Sequence, residues 1–112
     1  MHLASSKWRL LSSAVLVGTF CVTGPAAALD AQRQGELTHL VRQDCGSCHG
    51  MTLRGGLGGP LLPGNLDNFD REALAGIILK GIPGKPMPAW DRHLSEQEVL
   101  WIVDNLKKGF PK

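Results

Sequence analysis

The chain has 112 residues, twelve Lys+Arg against ten Asp+Glu, and a formal net charge of +2. That length suits a single domain with a small core, and the near balance of charge excludes the strongly basic face that nucleic acid requires. A core this small calls for a staple: a disulfide, a metal or a cofactor.

Residues 1–28 read as a secretory signal peptide. Lys7 and Arg9 make a basic start, residues 10–22 are an apolar run, and Ala26-Ala27-Ala28 after Gly24-Pro25 offers small residues for cleavage. The run is shorter than the roughly 20 apolar residues that span a bilayer, so an uncleaved amphipathic anchor is the weaker reading. Bulky Phe20 stands where a lipidation signal wants a small residue, so Cys21 is read as part of the signal. Cleavage after Ala28 leaves a mature domain of residues 29–112. Its bases and acids balance, Cys45 and Cys48 are its only thiols, and no stable membrane insertion is expected of it.

Three amphipathic helices follow, with Gly/Pro-rich loops between them and no alternating strand, which makes the chain all-α. The first starts after Asp30 as N-cap, carries Leu37, Leu40 and Val41 on one face, and is expected to run to about Cys45. The second has Asp70 as N-cap, with Phe69 and Leu74 at the spacing of a hydrophobic staple. Ala73, Leu74, Ile77 and Ile78 are its predicted buried face, and Gly81 ends it. The third opens with the capping box Ser95 and Glu98, and Leu94 and Val99 have staple spacing. Val99, Ile102, Val103 and Leu106 form its one apolar face, and Gly109 and Pro111 close the chain. The loops at 55–64 and 81–88 are too poor in side chains to build a core, but they can pass close to a large flat ligand.

Cys45-Gly46-Ser47-Cys48-His49 carries the chemistry. Cysteines three apart lie about one helical turn from each other, so both sulfurs reach one side of a single object. His49, from the same turn, points to that object's centre. A haem needs this arrangement: two thioether bonds and an imidazole on its iron. Three other readings fit less well. A thioredoxin-like pair wants a βαβ context, a structural zinc wants more ligands than are near, and a disulfide across so short a loop stabilises little.

A sixth iron ligand has four candidates in the mature chain: Met51, Met87, His39 and His93. Met51 is two residues past His49 and cannot reach the opposite face. His39 precedes the motif on the same helix, where a solvated or interhelical role suits it. Met87 sits in Pro86-Met87-Pro88-Ala89-Trp90, and the flanking prolines restrict the backbone around a weak thioether ligand. His93, just before the last helix, is the reserve. Trp90 is expected to pack on the ring or in the ordinary core.

With these residues the chain resembles the class I cytochrome c family over almost all of residues 29–112. The resemblance rests on the haem motif ending a first helix, Gly59-Pro60-Leu61 after it, and a late Met87-Pro88 before a last helix. It implies a small fold of three or more helices around one covalent haem c, electron transfer rather than enzyme catalysis, and attachment outside the cytoplasm, hence in the periplasm. It also implies that the carbonyl of Pro60 accepts the free ring nitrogen of His49. One departure stands out. The family crosses its first and last helices through a small residue eight before the first cysteine, where this chain has Leu37, with Val41 where an aromatic is common. A wider crossing is expected, with Trp101 filling the space.

A narrower resemblance rests on Gln43-Asp44, Leu57-Gly58-Gly59-Pro60 and residues 86–90. These segments look like a small periplasmic cytochrome of denitrifiers, associated with the cytochrome cd nitrite reductase and with insertion of its d-type haem. It implies periplasmic redox partners, that reductase among them, for a monomeric carrier. The alternatives are an accessory in d-type haem insertion or reductase maturation, and a haem enzyme or gas sensor with an open iron. Lys80 and Lys85 flank the Met87 loop and read as a solvated face.

Overall fold

The computed structural model describes residues 28–110. The signal peptide read in residues 1–28 therefore lies outside the described residues except for Ala28, and so does Pro111. The fold is all-α: α1 (Ala31–Leu40), α2 (Gly46–His49), α3 (Pro63–Leu66), α4 (Arg71–Lys80) and α5 (Glu96–Lys108).

Helix α1 starts where expected, with the Asp30 carboxylate accepting the Arg33 N–H at 2.7 Å. It does not stop near Cys45. A π-helical turn, Val41–Cys45, carries it directly into α2. A π turn holds more residues than an α turn, and such turns cluster at functional sites. Here it rotates Cys45, Cys48 and His49 relative to the buried stripe of α1.

Helix α5 is the spine of the core. Val99, Ile102, Val103 and Leu106 are all buried, as their spacing requires, together with Leu37 and Val41 from the first helix. Both halves of the capping box form: Ser95 Oγ accepts the Glu98 N–H at 3.2 Å, and the Glu98 carboxylate accepts the Ser95 N–H at 2.8 Å. Helix α5 packs most extensively on α4 and then on α3, whereas it meets the first helix mainly through side chains. Leu37 is fully buried in the core cluster that α5 centres. Leu37→Ala should therefore leave a cavity and lower stability by about 2–5 kcal/mol. Thermal unfolding measures this, and an unchanged midpoint would mean that the helices close over the gap.

Two arginine ion pairs tie the helices together from outside. Arg71 donates from Nε and Nη2 to the two Asp104 oxygens at 2.6 and 2.9 Å, joining α4 to α5. Arg33 donates from Nε to Glu98 at 2.5 Å, joining α1 to α5. Each guanidinium holds its carboxyl partner below the usual carboxylate range.

Helix α4 is capped by Asp70 as expected, but its buried face is rotated from the predicted one. Ala75 is buried and Leu74, Ile78 and Leu79 pack against the core, while Ala73 is exposed and Ile77 is 39 % exposed. The Arg71–Asp104 fork pins the first turn of α4 to α5, and the residues on that side of the helix are the ones that enter the core. Phe69 does not staple the helix either: it is 52 % exposed, and its carbonyl accepts Lys107 Nζ at 2.6 Å.

Helix α3 was not foreseen within its Gly/Pro-rich surroundings. Pro63 in its first turn suits a helix start, and Leu66 anchors it in the core. Leu53 is a further unforeseen core residue. It takes a left-handed backbone, φ 59°, that a leucine rarely adopts. Its N–H donates to Gly50 and its carbonyl accepts from Leu61, at 2.8 and 2.9 Å, so the turn after α2 folds back onto the core.

Candidate functional site

The helix carrying Cys45, Cys48 and His49 ends at Gly50, φ 89°, and the glycine-rich segment behind it wraps back under the motif. Helix ends leave carbonyls without partners, and this loop supplies them. The Gly58 N–H donates to the Cys48 carbonyl and the Gly55 N–H to the His49 carbonyl, both at 2.8 Å. The wrap is tight enough to require bare glycine: a Cβ on Gly50 would lie 2.6 Å from the Gly55 carbonyl oxygen, and one on Gly56 would lie 2.7 Å from that of Cys48.

Cys45 and Cys48 are free, half-buried thiols. Burial, and then the neighbouring Asp44 carboxylate, push the Cys45 thiol up to about 11. It is therefore protonated at neutral pH, unlike the low-pKa thiolate of a redox dithiol. Among the described residues no three His, Cys, Asp or Glu side chains gather to hold a bare metal ion, which leaves the zinc reading without its ligand set.

His49 Nδ1 lies 2.7 Å from the carbonyl oxygen of Gly59. The expected bond exists, but the acceptor is Gly59 and not Pro60. Pro60 is the next residue, and it holds φ of the segment while Gly59 presents the oxygen. A carbonyl only accepts, so Nδ1 is the donor of this bond, and in the neutral ring Nε2 is then the nitrogen with a lone pair to ligate.

Met87 and Trp90 belong to a second loop, built on the C-terminus of α4. Gly81 turns the chain there at φ 68°, and a Cβ on it would lie 2.7 Å from the Met87 carbonyl oxygen and 2.8 Å from the Ala89 nitrogen. The Ile82 N–H donates to the Met87 carbonyl at 3.2 Å, closing the loop on itself. The Trp90 N–H donates to the carbonyls of Ile78 and Leu79, each at 3.1 Å, and the Asp91 N–H donates to Leu79 as well. Both ends of the loop are thus bound to one helix terminus, and Met87 is half-buried between them. Sequence reasoning saw Gly81 only as a helix stop and missed this second task.

The remaining candidates separate from these two units. Met51 is 61 % exposed and His39 is exposed. His93 is exposed, with its ring edge-on to Trp90 at a centroid distance of 6.1 Å. Trp90 itself packs against the hydrophobic core. Lys80 and Lys85 are exposed, as read. Two surface grooves, of about 650 and 480 Å³, are lined by other residues than Cys45, Cys48, His49 and Met87.

The donor set fits a haem c. Two free thiols stand one turn apart, the imidazole beside them turns its Nδ1 to a backbone carbonyl, and the loop around them carries few side chains. The comparisons with known proteins agree. A family profile described as "Cytochrome C oxidase, cbb3-type, subunit III" matches residues 32–106. The protein named cytochrome c55X from Paracoccus denitrificans is 49 % identical over 100 residues, 89 % of this chain and 94 % of its own length. Its namesake from Pseudomonas aeruginosa is 51 % identical over 80 residues, 71 % of this chain and 67 % of that one. Among solved structures, a c-type cytochrome named NirC superposes with a TM-score of 0.71 at 49 % identity, covering 72 % of this chain and 95 % of that chain. A dihydro-heme d1 dehydrogenase named NirN, in complex with DHE, matches with a TM-score of 0.60 at 31 % identity, over 66 % of this chain and 16 % of that chain. Motif, fold and relatives converge, and the chain belongs to the class I c-type cytochromes, alongside cytochrome c55X, with haem c as its covalently bound cofactor.

Proposed function

We propose that the chain is a periplasmic one-electron carrier, with haem c bound through Cys45 and Cys48 and held axially by His49 and Met87. The observation that carries this reading is the 2.7 Å bond from His49 Nδ1–H to the Gly59 carbonyl, because it leaves Nε2 to ligate. The same bond makes the imidazole a stronger donor. When bound, the haem supplies a reversible Fe(III)/Fe(II) couple. The protein's own part is to hold both ligands still and to keep water from the ring. The anchored ends of the Met87 loop serve the first purpose, since a thioether is a weak ligand. The apolar residues of α4 and α5 serve the second.

With both axial positions filled by side chains, no site is left for a substrate, which argues for electron transfer over catalysis. The periplasmic placement rests on the signal read in residues 1–28. No helix among the described residues is long and apolar enough to cross a membrane. The likeness to NirC supports a place in nitrite reduction, with cytochrome cd nitrite reductase as electron partner. A second reading, an accessory to d-type haem insertion or reductase maturation, is favoured by one observation: the fold recurs as a segment of the dehydrogenase NirN. Dehydrogenation releases electrons, and a domain of this kind is suited to accept them.

The test is to record the spectrum of the ferric protein and then mix the ferrous protein with oxidised cytochrome cd nitrite reductase. A weak sulfur-to-iron band in the far red, and oxidation by one electron per haem, are expected. A high-spin spectrum that shifts with carbon monoxide after reduction would instead put the sensor or enzyme reading first.

A further inference from the structure

A residue without a side chain lies against the His49 ring. A Cβ built on Gly58 would stand 2.6 Å from His49 Cε1, 2.7 Å from Nδ1 and 3.1 Å from Nε2. Ordinary contacts of a Cβ lie at 3.4–4 Å, so nothing larger than hydrogen fits there. We propose that Gly58 is the positioning residue that sets the orientation of the His49 imidazole, and with it the bond from Nδ1 to Gly59. This rests on His49 being an iron ligand.

Gly58 cannot retreat without loss. Its N–H donates to the Cys48 carbonyl at 2.8 Å, and its own carbonyl accepts the Gly56 N–H at 2.9 Å. A methyl group on Gly58 therefore displaces the ring more readily than the loop. A displacement of several tenths of an ångström carries a 2.7 Å bond beyond the roughly 3.2 Å limit for N–H···O. Two adjacent residues thus act on one imidazole: Gly58 bears on its atoms and Gly59 holds its proton. The neighbouring glycines separate this task from loop packing. A Cβ on Gly59 would meet nothing within 4 Å, and one on Gly56 would meet the Cys48 carbonyl at 2.7 Å.

The experiment compares Gly56→Ala, Gly58→Ala and Gly64→Ala in the haem-loaded protein, by reduction potential and by paramagnetic proton NMR of the haem methyls. The wild-type NMR spectrum is read first: hyperfine-shifted His49 ring protons establish the ligation on which the proposal stands, and their absence overturns both. Gly58→Ala should keep its covalent haem and redistribute the methyl shifts. It should also raise the potential, because a less basic imidazole stabilises the ferric state less. Gly64→Ala, whose Cβ would meet nothing within 4 Å, should change neither reading. Gly56→Ala should lower thermal stability without moving the methyl pattern. An unchanged potential and pattern in Gly58→Ala overturns the proposal, as does Gly56→Ala reproducing both changes. If Gly58→Ala does not fold, it is paired with His49→Gly and supplied with imidazole, a ring free to choose its own orientation. Folding of that pair supports the proposal, and its failure while His49→Gly alone folds with imidazole sinks it.

Discussion

Cys45→Ala and Cys48→Ala should each lose one of the two covalent links to the haem, and the double substitution should lose covalent attachment altogether. Both thiols are half-buried at the end of one continuous helix, and neither is in a disulfide among the described residues. The consequence for stability is expected to be large. The core rests on ten buried apolar residues, most of them on α5 and the first helix. A core of this size needs a staple, and Cys45 and Cys48 can supply a covalent one through two thioethers. Loss of one link should cost about 2–5 kcal/mol, by analogy with removal of a native disulfide from a small secreted domain. Haem staining after denaturing electrophoresis measures attachment, and thermal melting measures stability. A double variant that still stains after denaturation would refute the motif reading.

What the sequence made legible is what depends on local rules. Asp30, Asp70 and the Ser95–Glu98 box satisfy orphan N–H groups within three residues of themselves, so they can be read one segment at a time. The apolar stripe of α5 is equally local, because only one face of that helix can be buried. The features that escaped depend on tertiary contact. The π turn at Val41–Cys45 has no composition of its own; it follows from having to bury Leu37 and Val41 and present the cysteines from one continuous helix. The face of α4 followed from the fork between Arg71 and Asp104, residues 33 apart in sequence. The Gly59 acceptor escaped because every residue carries a carbonyl, and no side chain marks the one that points at a ring. A signal was nonetheless present. Residues 55–59 hold four glycines around Leu57, and a run that bare signals close approach of backbone to something.

Met87→Ala should abolish the far-red band and lower the reduction potential by on the order of 100 mV or more, since axial ligands tune haem potentials across about 0.8 V. The direction follows from chemistry: a thioether favours ferrous iron, and water or an incoming imidazole does so less. The covalent haem should remain, because Cys45 and Cys48 are untouched, and the reduced variant should bind carbon monoxide at the freed position. The loop itself should survive. Its bonds run from the backbone of Ile82, Trp90 and Asp91 to the backbone of Met87 and α4, and none uses the thioether. The change therefore reports the sulfur and not a collapsed loop. Met51→Ala is the matched control: a methionine that is 61 % exposed should alter neither band nor potential. His93→Ala separates the reserve ligand. If Met87→Ala keeps its potential while His93→Ala loses it, the exposed imidazole beside Trp90 must swing inward to the iron, at the expense of its edge-on contact with the indole.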